Sequence, residues 1–195
     1  ALFSEPDIVP LVPDFVSGGN EEYKGAARGT AYHRLMECLD YMAVDSESQI
    51  HKQITALTEA KKMAYEEAQC IRIQDIMTFL HSEIGQRMKK AFEADQLYRE
   101  QPFVLAQSMK NIEKDWNGEE TVLVQGIIDA YFIEDEEIVL VDYKTDRVRK
   151  GEEQHLIDLY HTQLEDYAQA LERMLQKKVK ETYIYSFALG KMIPV

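Results

Sequence analysis

The sequence predicts an α+β protein in which a helical region comes first and a β-rich region follows. Residues 45–95 contain no proline, a single glycine and no alternation of apolar and polar residues, which is typical of consecutive helices. Three β-rich segments follow, and a long amphipathic stretch separates them from a last one. The predicted order is therefore several helices, three strands, one helix and one strand.

The individual elements follow from the spacing of their apolar residues. The first helix is predicted over about residues 26–41, where apolar side chains recur at helical intervals. The next helices share an apolar stripe that predicts a core face, formed by Ile73, Ile76, Met77, Leu80, Ile84 and Met88. The remaining elements are predicted as strands over 98–108, 121–133 and 137–145, a turn at Asn117-Gly118, a helix over 151–177 and a strand over 179–188, with a short strand from Lys191.

Domain organisation is predicted from the same change from helix-like to strand-like sequence. Residues 1–20 contain Pro6, Pro10 and Pro13 and lack a steady periodicity, so they are expected to form a linker or tail. Residues 21–195 are expected to form one domain, with a mainly helical part over 21–95 and a sheet-and-helix core over 96–195.

Composition narrows the possible classes of protein. The chain is 45% hydrophobic and 29% charged, and no apolar run approaches the roughly 20 residues that span a bilayer. Two cysteines, Cys38 and Cys70, cannot supply a structural zinc site or a four-cysteine iron–sulfur cluster. We therefore expect a cytoplasmic protein. The net charge of −13 argues against strong nucleic-acid binding by this chain alone, although carboxylates are what a metal site needs.

Two aspartates in neighbouring predicted strands form the candidate site. Asp129 lies late in one strand and Asp142 late in the next, and the short acidic link between them suits a hairpin with its turn at Asp135-Glu136. In an antiparallel hairpin, the residue numbers of each opposed pair add up to the same total. This turn therefore places Asp129 opposite Asp142, with Cβ atoms about 4.5–5.5 Å apart. Two buried like charges need a cation between them.

A divalent metal ion and a lysine would together suit phosphodiester hydrolysis. Mg²⁺ prefers one or two carboxylates as ligands, and Lys144, two residues beyond Asp142, lies on the same face of the strand. The metal would activate water and screen the phosphate, while the lysine would stabilise charge. The alternative is that these charges lie on an exposed sheet edge or form an ordinary Lys–Asp pair.

Four motifs in one order resemble those of the RecB-like members of the PD-(D/E)xK nuclease superfamily. They are Gly29-Thr-Ala-Tyr-His33, Gly126-Ile-Ile-Asp129, Val141-Asp-Tyr-Lys-Thr145 and Gln163-Leu-Glu-Asp-Tyr167. Val141 stands where the superfamily name has proline, which RecB-like members commonly lack. Within the superfamily, Asp142–Val148 and Glu100-Gln-Pro-Phe103 are similar to the AddA group of helicase–nuclease proteins.

The resemblance implies a restriction-endonuclease-like core, with a central mixed sheet flanked by helices and an N-terminal helical region. It implies that His33, Asp129, Asp142 and the backbone carbonyl of Tyr143 hold Mg²⁺ or Mn²⁺, without an iron–sulfur cluster. Lys144 would be the catalytic lysine, alongside Asp129 and Asp142. Gln163 and Tyr167, one helical turn apart, would position the DNA strand or the lysine.

These last assignments have ordinary structural alternatives. A single histidine on an amphipathic helix is more often structural than a metal ligand, and imidazole is not a favoured Mg²⁺ partner. Tyr167 could equally pack in the core while Gln163 lies on the surface.

The resemblance implies a metal-dependent DNA exonuclease that acts on single-stranded DNA in double-strand-break repair. Its expected partners are DNA, a helicase part of the same polypeptide and an AddB-like subunit, but no membrane. The chain has no Gly-x-x-x-x-Gly-Lys-[Ser/Thr] motif, so any ATP-driven motor must lie elsewhere. The alternatives are a free-standing exonuclease resembling the Cas4 group and a non-catalytic module for DNA binding or subunit docking.

Overall fold

The computed structural model of the chain describes residues 20–108 and 120–195. The predicted turn at Asn117-Gly118 and residues 1–19 of the predicted tail lie outside these residues. Asn20, the last residue of that predicted tail, is instead the first residue of a helix. The described helices and strands are numbered here in chain order.

The described residues 20–93 contain five helices. They are α1 (Asn20–Cys38), α2 (Glu47–Glu59), α3 (Tyr65–Ala68), α4 (Ile73–His81) and α5 (Glu83–Glu93). The predicted apolar stripe is divided between α4 and α5, because Ser82 ends one helix and caps the next by accepting a hydrogen bond from Gly85 N. A Cβ at Gly85 would lie 2.0 Å from the Phe79 carbonyl oxygen, so only glycine fits this tight junction.

The C-terminal part is a mixed sheet with one long helix. Its elements are β1 (Leu97–Ser108), β2 (Thr121–Glu134), β3 (Glu137–Lys144), α6 (Glu153–Leu175), β4 (Val179–Ser186) and β5 (Lys191–Pro194). The strands are ordered β1-β2-β3-β4-β5, and only the β3–β4 pair, which α6 connects, is parallel. The predicted order of elements and the mixed sheet are confirmed.

Helices cover both faces of the sheet. Val139 and Val141 on β3 pack in the layer of α1, α2, α4 and α5, whereas Leu140 packs on the other face with residues of α6. All three side chains are fully buried, which explains the unbroken apolar run of this central strand. No helix among residues 20–108 and 120–195 is long and apolar enough to cross a membrane.

The side-chain alternation of β1 and β2 changes at one point along the strands. Ala130 packs with the N-terminal helices, whereas Ile128, two residues earlier on the same strand, packs with α6. Glu100 on β1 has a positive φ of 49° between the paired residues Arg99 and Gln101, and its place in the register is opposite Asp129. This irregularity of the backbone therefore coincides with the predicted site.

Candidate functional site

The β2–β3 hairpin has the predicted register. Its pairs run from Ala130–Val141 to Glu134–Glu137, which keeps the predicted constant sum, and Asp135 and Glu136 have the positive φ values of 52° and 65° that a tight primed turn requires. The paired residues end one step before the two aspartates. At that position the backbone N–H of Tyr143 donates to Asp129 Oδ2 at 2.8 Å. The Asp129 side chain therefore takes the place of a backbone acceptor in the ladder.

Asp142 and Lys144 lie on one face of β3, as the alternation predicts. The Lys144 Nζ is 2.7 Å from Asp142 Oδ2, and the two side chains are 13% and 3% exposed. The interpretation of these charges as an exposed sheet edge is wrong, because β2 and β4 flank β3 and Asp142 is buried. The contact between Lys144 Nζ and Asp142 Oδ2 is, however, the ion pair of the other alternative, so the ammonium is the partner of this buried oxygen.

His33 extends from α1 to the same place. Its Nδ1–H donates to the Gly29 carbonyl oxygen at 2.9 Å, which leaves Nε2 facing Asp129 Oδ2 at 3.0 Å. The Gly29 and His33 motif is thus one turn of helix that aims a ring nitrogen at the first aspartate. Burial lowers the pKa of His33, but the Asp129 carboxylate outweighs it and raises this pKa to about 9.

The two aspartates differ in their electrostatic environments. Burial raises the pKa of Asp142 to about 6, because Lys144 offsets only part of the cost of removing the carboxylate from water. Burial acts in the same direction on Asp129, but His33, Lys144 and the Tyr143 N–H outweigh it and hold the pKa of Asp129 below its usual range. The arrangement therefore places two carboxylates close together, each facing one cationic side chain, Lys144 or His33.

The predicted pair on α6 forms one hydrogen-bonded unit. Gln163 Nε2 donates to the Tyr167 hydroxyl at 2.7 Å. Burial, and then the charges of the Asp142 and Asp129 carboxylates, raise the pKa of Tyr167. The Tyr167 ring packs in the core, as the structural alternative for this residue predicts, while its hydroxyl accepts the hydrogen bond from Gln163.

Gly126 allows the Phe103 ring its position. A Cβ at Gly126 would lie 2.9 Å from Phe103 Cε1 but at an ordinary contact distance of 3.5 Å from Tyr167 Cε1. The glycine that precedes Asp129 by three residues therefore makes room for the Phe103 ring, which packs against Tyr167.

The structure adds three residues to this region to which sequence reasoning assigned no role. The Tyr160 ring lies 3.9 Å from Lys144 Nζ, and its hydroxyl donates to Asp146 at 2.9 Å. Burial, and then the Asp129 carboxylate, raise the pKa of Glu100. The sequence carried a signal for two of these residues. Tyr160 lies three residues before Gln163, and Glu100 belongs to the Glu100-Gln-Pro-Phe103 stretch, to which the resemblance assigns no role.

The donors suit a hard divalent cation, although they are not closed around one. Two carboxylates lie at the end of the β2–β3 ladder, and the His33 Nε2 lies beside Asp129. In residues 20–108 and 120–195, no group of three or more His, Cys, Asp or Glu side chains is arranged to hold a metal ion. His33 and Asp129 pair with each other instead, so metal binding would require this pair to separate.

Comparison with known proteins agrees with this geometry. The model of the PD-(D/E)XK nuclease superfamily matches residues 12–191. The AddA subunit of the ATP-dependent helicase/nuclease of Clostridium perfringens (strain 13 / Type A) is 36% identical over 94% of this chain and 15% of its own length. The corresponding protein from Alkaliphilus metalliredigens (strain QYMF) is 41% identical over 90% of this chain and 14% of its own length. The chain thus spans about a seventh of the length of these relatives.

Proposed function

Since the chain belongs to the PD-(D/E)XK nuclease superfamily, we propose that it is a metal-dependent DNA exonuclease domain that hydrolyses phosphodiester bonds. The observation that carries the proposal is the convergence of Asp129, Asp142, Lys144 and His33 at the end of the β2–β3 ladder. Nucleases of this superfamily generally use divalent metals such as Mg²⁺. A nuclease site of this composition requires acids, a cation and a lysine in one place.

Asp129, Asp142, His33 and the Tyr143 carbonyl would hold Mg²⁺ or Mn²⁺. When bound, the ion supplies positive charge that lowers the pKa of a water and offsets the charge of the phosphate. His33 would lose its proton and part from Asp129 to become a ligand, while its Nδ1–H bond to Gly29 keeps the ring oriented. Lys144 holds its ammonium beside Asp142, where it can stabilise the negative charge that develops on the phosphate.

Gln163 and Tyr167 are proposed to position the DNA strand. Their hydrogen bond links them as one unit on α6, and the charges of both acids act on the Tyr167 hydroxyl by raising its pKa. A bonded pair on a rigid helix can hold a substrate in line with the site.

The names of the relatives suggest the setting. Each is named as one subunit of an ATP-dependent helicase/nuclease and is several times longer than this chain. We propose that the domain works beside a helicase part of the same polypeptide and an AddB-like subunit, on single-stranded DNA, in double-strand-break repair. The net charge of −13 supports delivery of DNA by a partner, because this chain alone lacks an excess of cations.

Cleavage of end-labelled single- and double-stranded DNA in Mg²⁺, Mn²⁺ or EDTA tests the proposal. We expect cleavage of single strands that requires metal and falls by at least about 100-fold in Asp142→Asn and Lys144→Ala, because each removes charge acting directly on the reaction. The matched controls are Asp158→Asn on the exposed side of α6 and Lys62→Ala in an exposed loop, which should cleave like the wild type. Undiminished cleavage by either site variant would refute the mechanism.

A second candidate is a nuclease fold retained as a non-catalytic docking module, which the net charge of −13 favours. Such a module has no need to bind a divalent ion at Asp129 and Asp142. Metal binding without cleavage would indicate a nuclease that requires its motor, whereas neither property would favour the docking module.

A further inference from the structure

We propose that Tyr160 is a positioning residue that holds the Lys144 ammonium beside Asp142, and that Asp146 fixes Tyr160 through its hydroxyl. The inference rests on the proposed nuclease function, because it concerns the same site. The Lys144 Nζ lies 3.9 Å from the centroid of the Tyr160 ring and 2.7 Å from Asp142 Oδ2. The ammonium is therefore held between an aromatic face and a carboxylate.

Lys144 needs such a restraint. Its side chain has four rotatable bonds, and its charge is attracted by Asp129 and Asp146 as well as by Asp142. A tyrosine ring attracts a cation through its face without providing a localised acceptor that competes for the ammonium hydrogens. The ring can thus fix the ammonium and leave an N–H for a phosphate oxygen.

Asp146 completes the arrangement. The Tyr160 hydroxyl donates to Asp146 Oδ1 at 2.9 Å, which fixes the plane of the ring. Donation to a carboxylate also places more electron density in the ring, so its attraction for the ammonium increases. Asp146 follows β3 by two residues and Tyr160 belongs to α6, so this hydrogen bond joins the two elements on either side of Lys144.

The position of Tyr160 on α6 agrees with this role. It precedes Gln163 by three residues and Tyr167 by seven, so the three side chains lie on one face of the helix. Tyr160 contacts the lysine and Asp146, whereas Gln163 and Tyr167 form their own hydrogen bond. One helix therefore presents a lysine-positioning residue beside the pair proposed to position DNA.

The test compares Tyr160→Phe, which keeps the ring, with Tyr160→Leu, which removes it. Leu159→Ala, at an adjacent exposed position, is the control. For each protein the kcat and KM of metal-dependent cleavage of single-stranded DNA and the melting temperature are measured, and crystal structures give the position of Lys144 Nζ. We expect kcat to fall by about 10- to 100-fold in Tyr160→Leu, the usual range for a displaced catalytic group, with little change in KM. Tyr160→Phe should recover most of this loss, and Leu159→Ala should match the wild type.

The outcomes separate the inference from the function. An active wild type with equal kcat in Tyr160→Leu, or equal losses in the Phe and Leu variants, would overturn the role of the ring while leaving the nuclease proposal intact. An inactive wild type would count against the proposed function, and the crystal structures would then decide the restraint. Movement of Nζ away from Asp142 in Tyr160→Leu but not in Tyr160→Phe supports it, and an unmoved Nζ overturns it.

Discussion

At the scale of single residues, the site depends on side chains that are held from two sides. Asp129 accepts hydrogen bonds from His33 and from the Tyr143 backbone, while Asp142 contacts Lys144. Asp142 is buried, and the Lys144 ammonium offsets the charge of its carboxylate. What distinguishes this arrangement from a single ion pair is the second carboxylate, Asp129, with His33 beside it.

Gly126→Ala is expected to damage both the packing and the site. The added methyl group would lie 2.9 Å from Phe103 Cε1, so the Phe103 ring, which packs against Tyr167, must shift. We expect a loss of about 1–3 kcal/mol in the free energy of unfolding, as for other overpacked cores, together with lower cleavage activity. Urea unfolding measures the first effect. Gly25→Ala is the matched control, because nothing in the part of the chain that the structure describes lies within 4 Å of its added Cβ, and equal stability of the two variants would contradict the packing argument.

At the scale of elements, the hairpin that carries the aspartates is anchored to its neighbours at its far end. Arg87 on α5 donates to Glu134 on β2 and to Glu181 on β4, and Lys180 on β4 also contacts Glu134. These ion pairs tie the turn end of β2–β3 to α5 and β4. They therefore help to hold the register on which the position of the two aspartates depends.

The stability contributed by Glu134 should depend on pH. Its hydrogen bond from Arg87, and then that from Lys180, lower the pKa of Glu134 from 4.5 to about 2. The unfolded chain then binds a proton more readily than the folded protein does as the pH falls. The contribution is present above about pH 4.5 and is lost as the pH falls towards 2. The melting-temperature difference between the wild type and Glu134→Gln should therefore shrink below pH 4.5. A difference that stays constant from about pH 7 to about pH 2.5 would contradict this prediction.

At the scale of the whole molecule, local patterns predicted more of the structure than long-range contacts did. The register of β2–β3 followed from one turn, and the Asp142 and Lys144 face followed from strand alternation, because both depend on neighbouring residues. The division at Ser82 was missed, because the apolar stripe continues across it with helical spacing. The contact of Tyr160 with Lys144 was missed because it depends on how α6 packs across the sheet, which the spacing of residues within α6 does not predict.

The most direct test of the central claim is a calorimetric titration of the wild type and of Asp129→Asn and Asp142→Asn with Mn²⁺, beside an Asp158→Asn control. This measurement does not require the chain to capture DNA, for which its net charge of −13 is poorly suited. We predict that the wild type and Asp158→Asn bind Mn²⁺, and that each site variant loses most of this affinity, because Asn keeps the shape but not the charge. Absence of binding by the wild type, or equal binding by all four proteins, would contradict a metal site between Asp129 and Asp142.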